Sequence, residues 1–91
     1  MKYFDWSIGK NQKLKQERDV SFEDVLIAFD EGRLLAVVEH PNQSVYPNQK
    51  IFIIEIVRYA YLVPFIEDGE KIFLKTIIPN RKATKQYIID K

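Results

Sequence analysis

The sequence predicts an α+β domain, and two patterns carry that prediction. Three runs of strand length, at residues 51–57, 59–66 and 71–78, are rich in Ile, Val, Phe and Tyr. Upstream of them, apolar residues recur at helical spacing between Ser21 and Gly32. We expect two N-terminal helices on one face of a four-stranded antiparallel meander sheet, and a short C-terminal helix after Pro79.

The composition limits the classes of function. The 91 residues suffice for one domain, residues 1–91, and the net charge of +1 means that nucleic-acid binding would need local clusters of cations. With no Cys and one His, at position 40, a structural metal site is not expected, and no cofactor is predicted. The sequence has no apolar run near the roughly 18 residues of a membrane span and no secretion signal, so we expect a cytoplasmic protein.

The first predicted helix runs through residues 10–18 with Ser7 as its cap, after an aromatic segment at residues 1–6 that we expect to be tied to the core. Lys10, Leu14 and Arg18 follow one another at i,i+4 spacing, which puts two cations beside a buried leucine. These cations either form a solvated helix edge or bind phosphate.

The second helix has the clearest start signal in the chain. Ser21 can cap the first turn, while Val20 and Val25 can form a hydrophobic staple around it. The stripe that should pack on the sheet is Phe22, Val25, Leu26 and Phe29.

Residues 33–39 form the first predicted strand of the meander. They are apolar on both faces, which favours a central or covered position. His40 follows the strand, in a loop of residues 40–49. Its imidazole suits either a structural hydrogen bond or proton transfer.

Two hairpins should join the remaining strands. A tight turn at residues 57–59 would place Glu55 opposite Tyr61 on one face. In the last hairpin a turn around Gly69, with Ile66 opposite Lys71, would place Lys75 opposite Leu62. Lys75 would then lie among apolar side chains unless its stem reached solvent.

A cationic segment follows the last strand. Residues 79–85 read PNRKATK, so apolar content stops where Arg81, Lys82 and Lys85 appear. A catalytic or binding site, if the chain has one, is therefore expected at this junction. The alternative is an ordinary solvated helix that carries cations, which would have the same composition.

The motifs FDWSIGK, VSFEDVLIAFDEG and IIPNRKATKQY together resemble the BrnT family of bacterial toxins over nearly the whole chain. The resemblance rests on Phe4, Trp6 and Lys10, on residues 20–24, and on residues 77–87. It implies a compact RelE-like ribonuclease fold, metal-independent cleavage of RNA, and a cognate antitoxin protein with a DNA-binding segment. DNA would then be contacted only through the antitoxin complex.

Such cleavage requires stabilisation of an added negative charge and transfer of two protons, because the RNA 2′-hydroxyl attacks its own phosphate. Arg81, with Lys82 or Lys85, suits the first task. His40, Glu55 and Tyr87 are the candidates for the second, and Lys10, Arg18 and Lys75 would contact RNA.

The sequence departs from the family pattern at Ser7, at Leu14, at residues 18–19 and at residues 79–80. A non-catalytic protein-interaction module or an inactivated toxin relative is therefore the alternative function.

Overall fold

The computed structural model describes residues 2–90, which form an α+β fold. The elements in chain order are β1 Tyr3–Trp6, α1 Ile8–Arg18, α2 Phe22–Asp30, β2 Leu34–Glu39, β3 Lys50–Ile56, β4 Tyr59–Asp68, β5 Lys71–Leu74, β6 Ile78–Pro79 and α3 Arg81–Thr84. A π-helical turn, Lys85–Ile89, continues α3. Both predicted N-terminal helices and the short helix after Pro79 are confirmed.

The sheet is mixed, with strand order β1-β5-β4-β3-β2 and with β6 paired to β4 beside β5. Strands β2 to β5 pair antiparallel with their neighbours along the chain. Strand β1 adds to β5 in parallel, with Tyr3 opposite Lys71. The prediction of a purely antiparallel four-stranded sheet missed this strand, because Tyr3–Trp6 is too short to show a periodicity. The expectation that this segment is tied to the core is confirmed for Tyr3–Trp6, and Met1 lies outside the described residues.

The principal core lies between the sheet and helices α1 and α2, on what we call the first face. Ser7 Oγ accepts from Lys10 N at 3.2 Å, and Ser21 forms a capping box with Asp24, so both predicted caps are confirmed. The buried core contains Leu14 of α1 and Phe22 of α2, packed against Phe52 and Phe65. The rings of Phe52 and Phe65 stack with centroids 3.8 Å apart.

The opposite, second face of the sheet carries a much smaller core. Ile53, Ala60 and Ala83 are its buried members, with Leu62 and Tyr87 partly buried against them. The C-terminal helix therefore packs on the face that α1 and α2 leave open.

Strand β2 is an edge strand, and the prediction of a central or covered position is wrong. Its one neighbour in the sheet is β3, and Leu34, Val37 and Val38 remain 38%, 51% and 37% exposed. Apolar side chains on both faces of a strand usually indicate burial, but here several of these side chains border solvent.

The β3–β4 hairpin turns on two residues, so the predicted pairing of Glu55 with Tyr61 is wrong. Ile56 pairs with Tyr59, which places Glu55 opposite Ala60. Val57 and Arg58 make the turn with φ of 51° and 62°, conformations expected mainly of Asn and Gly. A slip of one residue exchanges faces; Tyr61 therefore faces the principal core and Glu55 the second face.

The β4–β5 hairpin is also tighter than predicted. Strand β4 continues to Asp68, which pairs with Lys71 around a two-residue loop beginning at Gly69. Leu62 consequently faces Ile78 instead of Lys75. Lys75 is exposed, with its Nζ 5.9 Å from the centroid of the Phe73 ring. It is not embedded among apolar side chains.

No helix within residues 2–90 combines the length and the apolar character needed to cross a lipid bilayer.

Candidate functional site: the C-terminal helix and its groove

The C-terminal helix is fixed to β4 by a compact set of hydrogen bonds. Asn80 N donates to Ala60 O at 3.0 Å, and the Asn80 side chain caps the helix by accepting from Ala83 N at 2.7 Å. Thr84 Oγ1 accepts from Ala60 N at 2.9 Å and donates to Asn80 O at 2.8 Å. Since these groups are buried or half-buried, the helix is held at a defined height above the sheet.

Cations occupy the solvent side of this helix. Arg81, Lys82 and Lys85 are exposed, whereas Ala83 and Thr84, on the opposite side, are buried. None of the three cations takes part in an ion pair with any residue from 2 to 90. Their charge is therefore available to an anion from solution.

A groove of about 430 Å³ runs between the helix and the open edge of the sheet. Ile51, Ile53 and Leu62 form its apolar floor. The two walls differ in origin. Val38, Glu39 and Pro41 come from β2 and the loop after it, and Asn80, Lys82, Ala83, Gln86 and Tyr87 come from the helix and its cap.

A smaller recess, of about 280 Å³, is bordered by Asn48, Lys50, Phe65 and Glu67. The Glu67 carboxylate at this recess is already engaged by Lys2. None of the residues that the sequence predicted for a site lines this recess, so the groove is the better candidate.

The groove brings together two of the predicted catalytic residues, Lys82 and Tyr87. Arg81 and Lys85 lie on the same helix but outside the groove lining. His40 lies between the two lining residues Glu39 and Pro41, and its Nδ1 accepts from Asn42 N at 3.1 Å. In this structure the His40 imidazole thus makes the structural hydrogen bond that was one of its two predicted uses.

The predicted RNA-binding residues of α1 are separated from the groove by the sheet, because α1 packs on the first face. Arg18 Nη1 donates to Ile77 O at 2.6 Å, which ties the end of α1 to the link between β5 and β6. Lys10 is half-buried in the first turn of α1. The structure thus brings the predicted residues of the C-terminal helix together on one surface, and it places those of α1 on the other side of the sheet.

Tyr61 of β4 is unsuited to proton transfer at this site. Burial raises the pKa of Tyr61, and the neighbouring Tyr59, Asp19 and Asp24 raise that pKa further. Its ring lies on the first face, 5.8 Å from that of Tyr59. Glu55 lies on the same face as the groove, but it is half-buried beside Ala60 and does not line the groove.

Sequence reasoning missed Asn80, Gln86 and Glu39 as parts of the site. For Asn80 a signal existed: an Asn three residues before Ala83, at the start of a polar segment, is typical of a helix cap. Glu39 and Gln86 carried no such signal, because their proximity depends on how the helix folds back over the sheet.

Among residues 2–90, the His, Asp and Glu side chains form no group of three that could hold a metal ion. No family model, no curated protein and no solved structure matches the chain.

Proposed function

We propose that the protein is the toxin of a type II toxin–antitoxin pair and cleaves RNA without a metal ion. One observation carries the proposal: Arg81, Lys82 and Lys85 are exposed on a rigidly capped helix and make no ion pair within residues 2–90. Unpaired cations on a fixed support suit the binding of phosphates. The resemblance to BrnT toxins in the segments around Trp6, Ser21 and Arg81 supports the same reading. On this proposal, α1, α2 and strands β2 to β5 are the RelE-like part of the fold.

In the proposed reaction the 2′-oxygen attacks the adjacent phosphorus and the bond to the 5′-oxygen breaks. One proton leaves the 2′-hydroxyl and another reaches the departing 5′-oxygen, so the products are a 2′,3′-cyclic phosphate and a free 5′-hydroxyl. Arg81 donates two hydrogen bonds to the phosphate oxygens as negative charge accumulates, and Lys82 adds a point charge from the groove wall. Tyr87 and His40 are the proposed proton-transfer groups.

The decisive variant is Arg81→Ala. Loss of one charge-assisted contact to the transition state costs roughly a hundredfold to a thousandfold in rate. Arg81→Lys keeps the charge but not the planar fork, and we expect it to recover part of the rate. Lys13→Ala, which removes an exposed cation from α1 on the other side of the sheet, is the matched control and should leave the rate unchanged.

Cleavage should be measured on a labelled RNA, with and without EDTA, alongside a urea melt. Arg81 is exposed, so its replacement should change the free energy of unfolding by no more than about 0.5 kcal/mol. Undiminished cleavage by Arg81→Ala would remove the proposed site. Cleavage abolished by EDTA would remove the metal-independent mechanism.

The proposed partner is an antitoxin that carries a DNA-binding segment and covers the cationic helix. Co-expression of the adjacent small gene should give a complex that survives gel filtration, and the complex should lack RNA cleavage. If expression of the chain alone leaves growth unaffected, the toxin function is wrong.

A second function, that of a protein-interaction module, is favoured by the edge strand β2. Val37 is 51% exposed on it. An exposed apolar edge strand is a template for pairing with an extended segment of another protein. If the chain is such a module, its Arg81→Ala variant should bind the partner as tightly as the wild-type chain does. A ribonuclease would instead lose cleavage on this substitution.

A further inference from the structure

The loop between β2 and β3 is internally ordered although it is exposed. His40 N donates to Gln49 O at 2.9 Å, which closes the base of the loop. Within it, Tyr46 N donates to Asn42 O at 2.9 Å, and Gln43 Nε2 donates to His40 O at 2.7 Å. A loop held by this many internal bonds presents its side chains in fixed positions, with little ordering left to be done on binding.

This loop presents two rings that pack against each other at a tilt. The centroids of His40 and Tyr46 are 4.3 Å apart, and their planes differ by 38°. The imidazole is itself oriented by the hydrogen bond from Asn42 N to Nδ1. Tyr46 remains 44% exposed, so one side of the phenol ring is supported and the ring still offers surface to solution.

The ring pair belongs to a loop that begins at one wall of the groove. Glu39 and Pro41, on either side of His40, line one wall, and Lys82 and Gln86 line the other. The loop that carries the two rings therefore adjoins the wall opposite Lys82, where a phosphate could bind. Single-stranded nucleic acid is typically bound by this combination of a cationic track and an aromatic stacking surface.

We propose that Tyr46, supported by His40, is a stacking platform for an unpaired base, and that the groove takes single-stranded RNA. This inference rests on the proposed ribonuclease function and names the substrate class for it. Bases inside a duplex are already stacked on their neighbours, so a double-stranded substrate cannot use the platform. The cations alone hold a duplex, through its phosphates.

The test uses Tyr46→Ala and Tyr46→Phe, with Val45→Ala as the matched control. Val45 is a neighbouring apolar residue of the same loop and is 61% exposed. The probe is a short fluorescein-labelled oligonucleotide of mixed sequence with 2′-O-methyl groups, which cannot be cleaved, and a duplex of the same sequence is the comparison. Binding is followed by fluorescence anisotropy.

Tyr46→Ala should weaken binding of the single strand about fivefold to a hundredfold, the usual range for loss of one base–aromatic stack. Tyr46→Phe and Val45→Ala should bind like the wild-type chain, and none of the three should change binding of the duplex. Equal loss for Tyr46→Ala and Val45→Ala, or no loss for Tyr46→Ala, overturns the platform.

A second variant covers the case in which Tyr46→Ala disturbs the loop. In Tyr46→Trp the new indole should be quenched by the single strand and not by the duplex, above any change in the emission of Trp6 in the wild-type chain. Normal binding by Tyr46→Ala together with lost cleavage by Arg81→Ala rejects the platform and leaves the ribonuclease standing. A wild-type chain that binds neither probe rejects the ribonuclease as well.

Discussion

The two faces of the sheet are built in different ways. The first face is covered by α1 and α2 over a core that contains Phe22, Phe52 and Phe65, all at most 8% exposed. The second face has a smaller core of Ile53, Ala60 and Ala83 under a short helix, and beside that helix it leaves a groove. Stability is therefore concentrated on the first face, whereas the second face has an open groove beside a helix whose exposed cations form no ion pair within residues 2–90.

The largest expected effect contrasts two residues of β4. Phe65 is 2% exposed on the first face, and Phe65→Ala should destabilise the fold by about 3–5 kcal/mol. Leu62 is half-buried on the second face, and Leu62→Ala should cost roughly 1–2 kcal/mol because less apolar area is lost. Urea unfolding measures both. Equal losses would contradict the division between the faces.

The second prediction breaks the attachment of the C-terminal helix. Thr84→Val removes the hydroxyl that accepts from Ala60 N, and a buried amide left without a partner costs about 1–3 kcal/mol. Thr76→Val, at a half-buried threonine in the β5–β6 link, is the control and should change the free energy of unfolding by less than about 0.5 kcal/mol. Hydrogen exchange at Ala60 should accelerate in the first variant. If it stays protected, the Thr84 hydroxyl is not what holds the helix.

The third prediction concerns the β3–β4 turn, which serves both faces alike. Val57 is 87% exposed with a φ of 51°, a conformation that a β-branched residue strongly disfavours. Replacing Val57 and Arg58 by Asn and Gly should raise the free energy of unfolding by about 1 kcal/mol. Val45→Asn exchanges an exposed valine that lacks a positive φ, and it should give no gain. Equal gains in the two proteins would mean that reduced apolar exposure, not relief of strain, is the cause.

The smallest predicted effect is a pH dependence on the first face. A hydrogen bond from Asn11, helped by Lys15, holds the pKa of Glu23 below its ordinary value of 4.5. The unfolded chain thus binds a proton at higher pH than the folded chain does. This contribution to stability is fully present above the ordinary pKa and is lost as the pH falls through the lowered pKa.

Chemical unfolding between pH 3 and pH 6 tests this sign. Glu23→Gln should flatten the acid limb slightly, whereas Glu17→Gln, at an exposed glutamate of α1, should leave it as it is in the wild-type chain. An unchanged acid limb in Glu23→Gln would show that the contact with Asn11 does not distinguish the two ionisation states.

The sequence was sufficient to predict those elements whose structure depends on residues close to one another in the chain. Ser7 and Ser21 cap their helices, and the cationic segment after Pro79 forms the short helix. It was insufficient where the structure depends on residues that are distant in the chain and close in space. The position of β2 at the edge and the register of Glu55 depend on strand pairing, and a change of one residue in a turn length reverses which face a side chain occupies.

The same distinction applies to the candidate site. Lys82 and Tyr87 were found because they belong to one segment of the chain. Glu39 joins them only through folding of the helix over the sheet, a long-range contact that no local pattern encodes.

The parallel pairing of β1 with β5 imposes an order on folding during synthesis. Tyr3 pairs with Lys71, so β1 cannot join the sheet until β5 has been synthesised. Until β5 leaves the ribosome, Phe4 and Trp6 have no sheet edge to join, and the principal core stays open on that side. Docking of β1 therefore follows the synthesis of β5 and carries the entropic cost of closing a long loop.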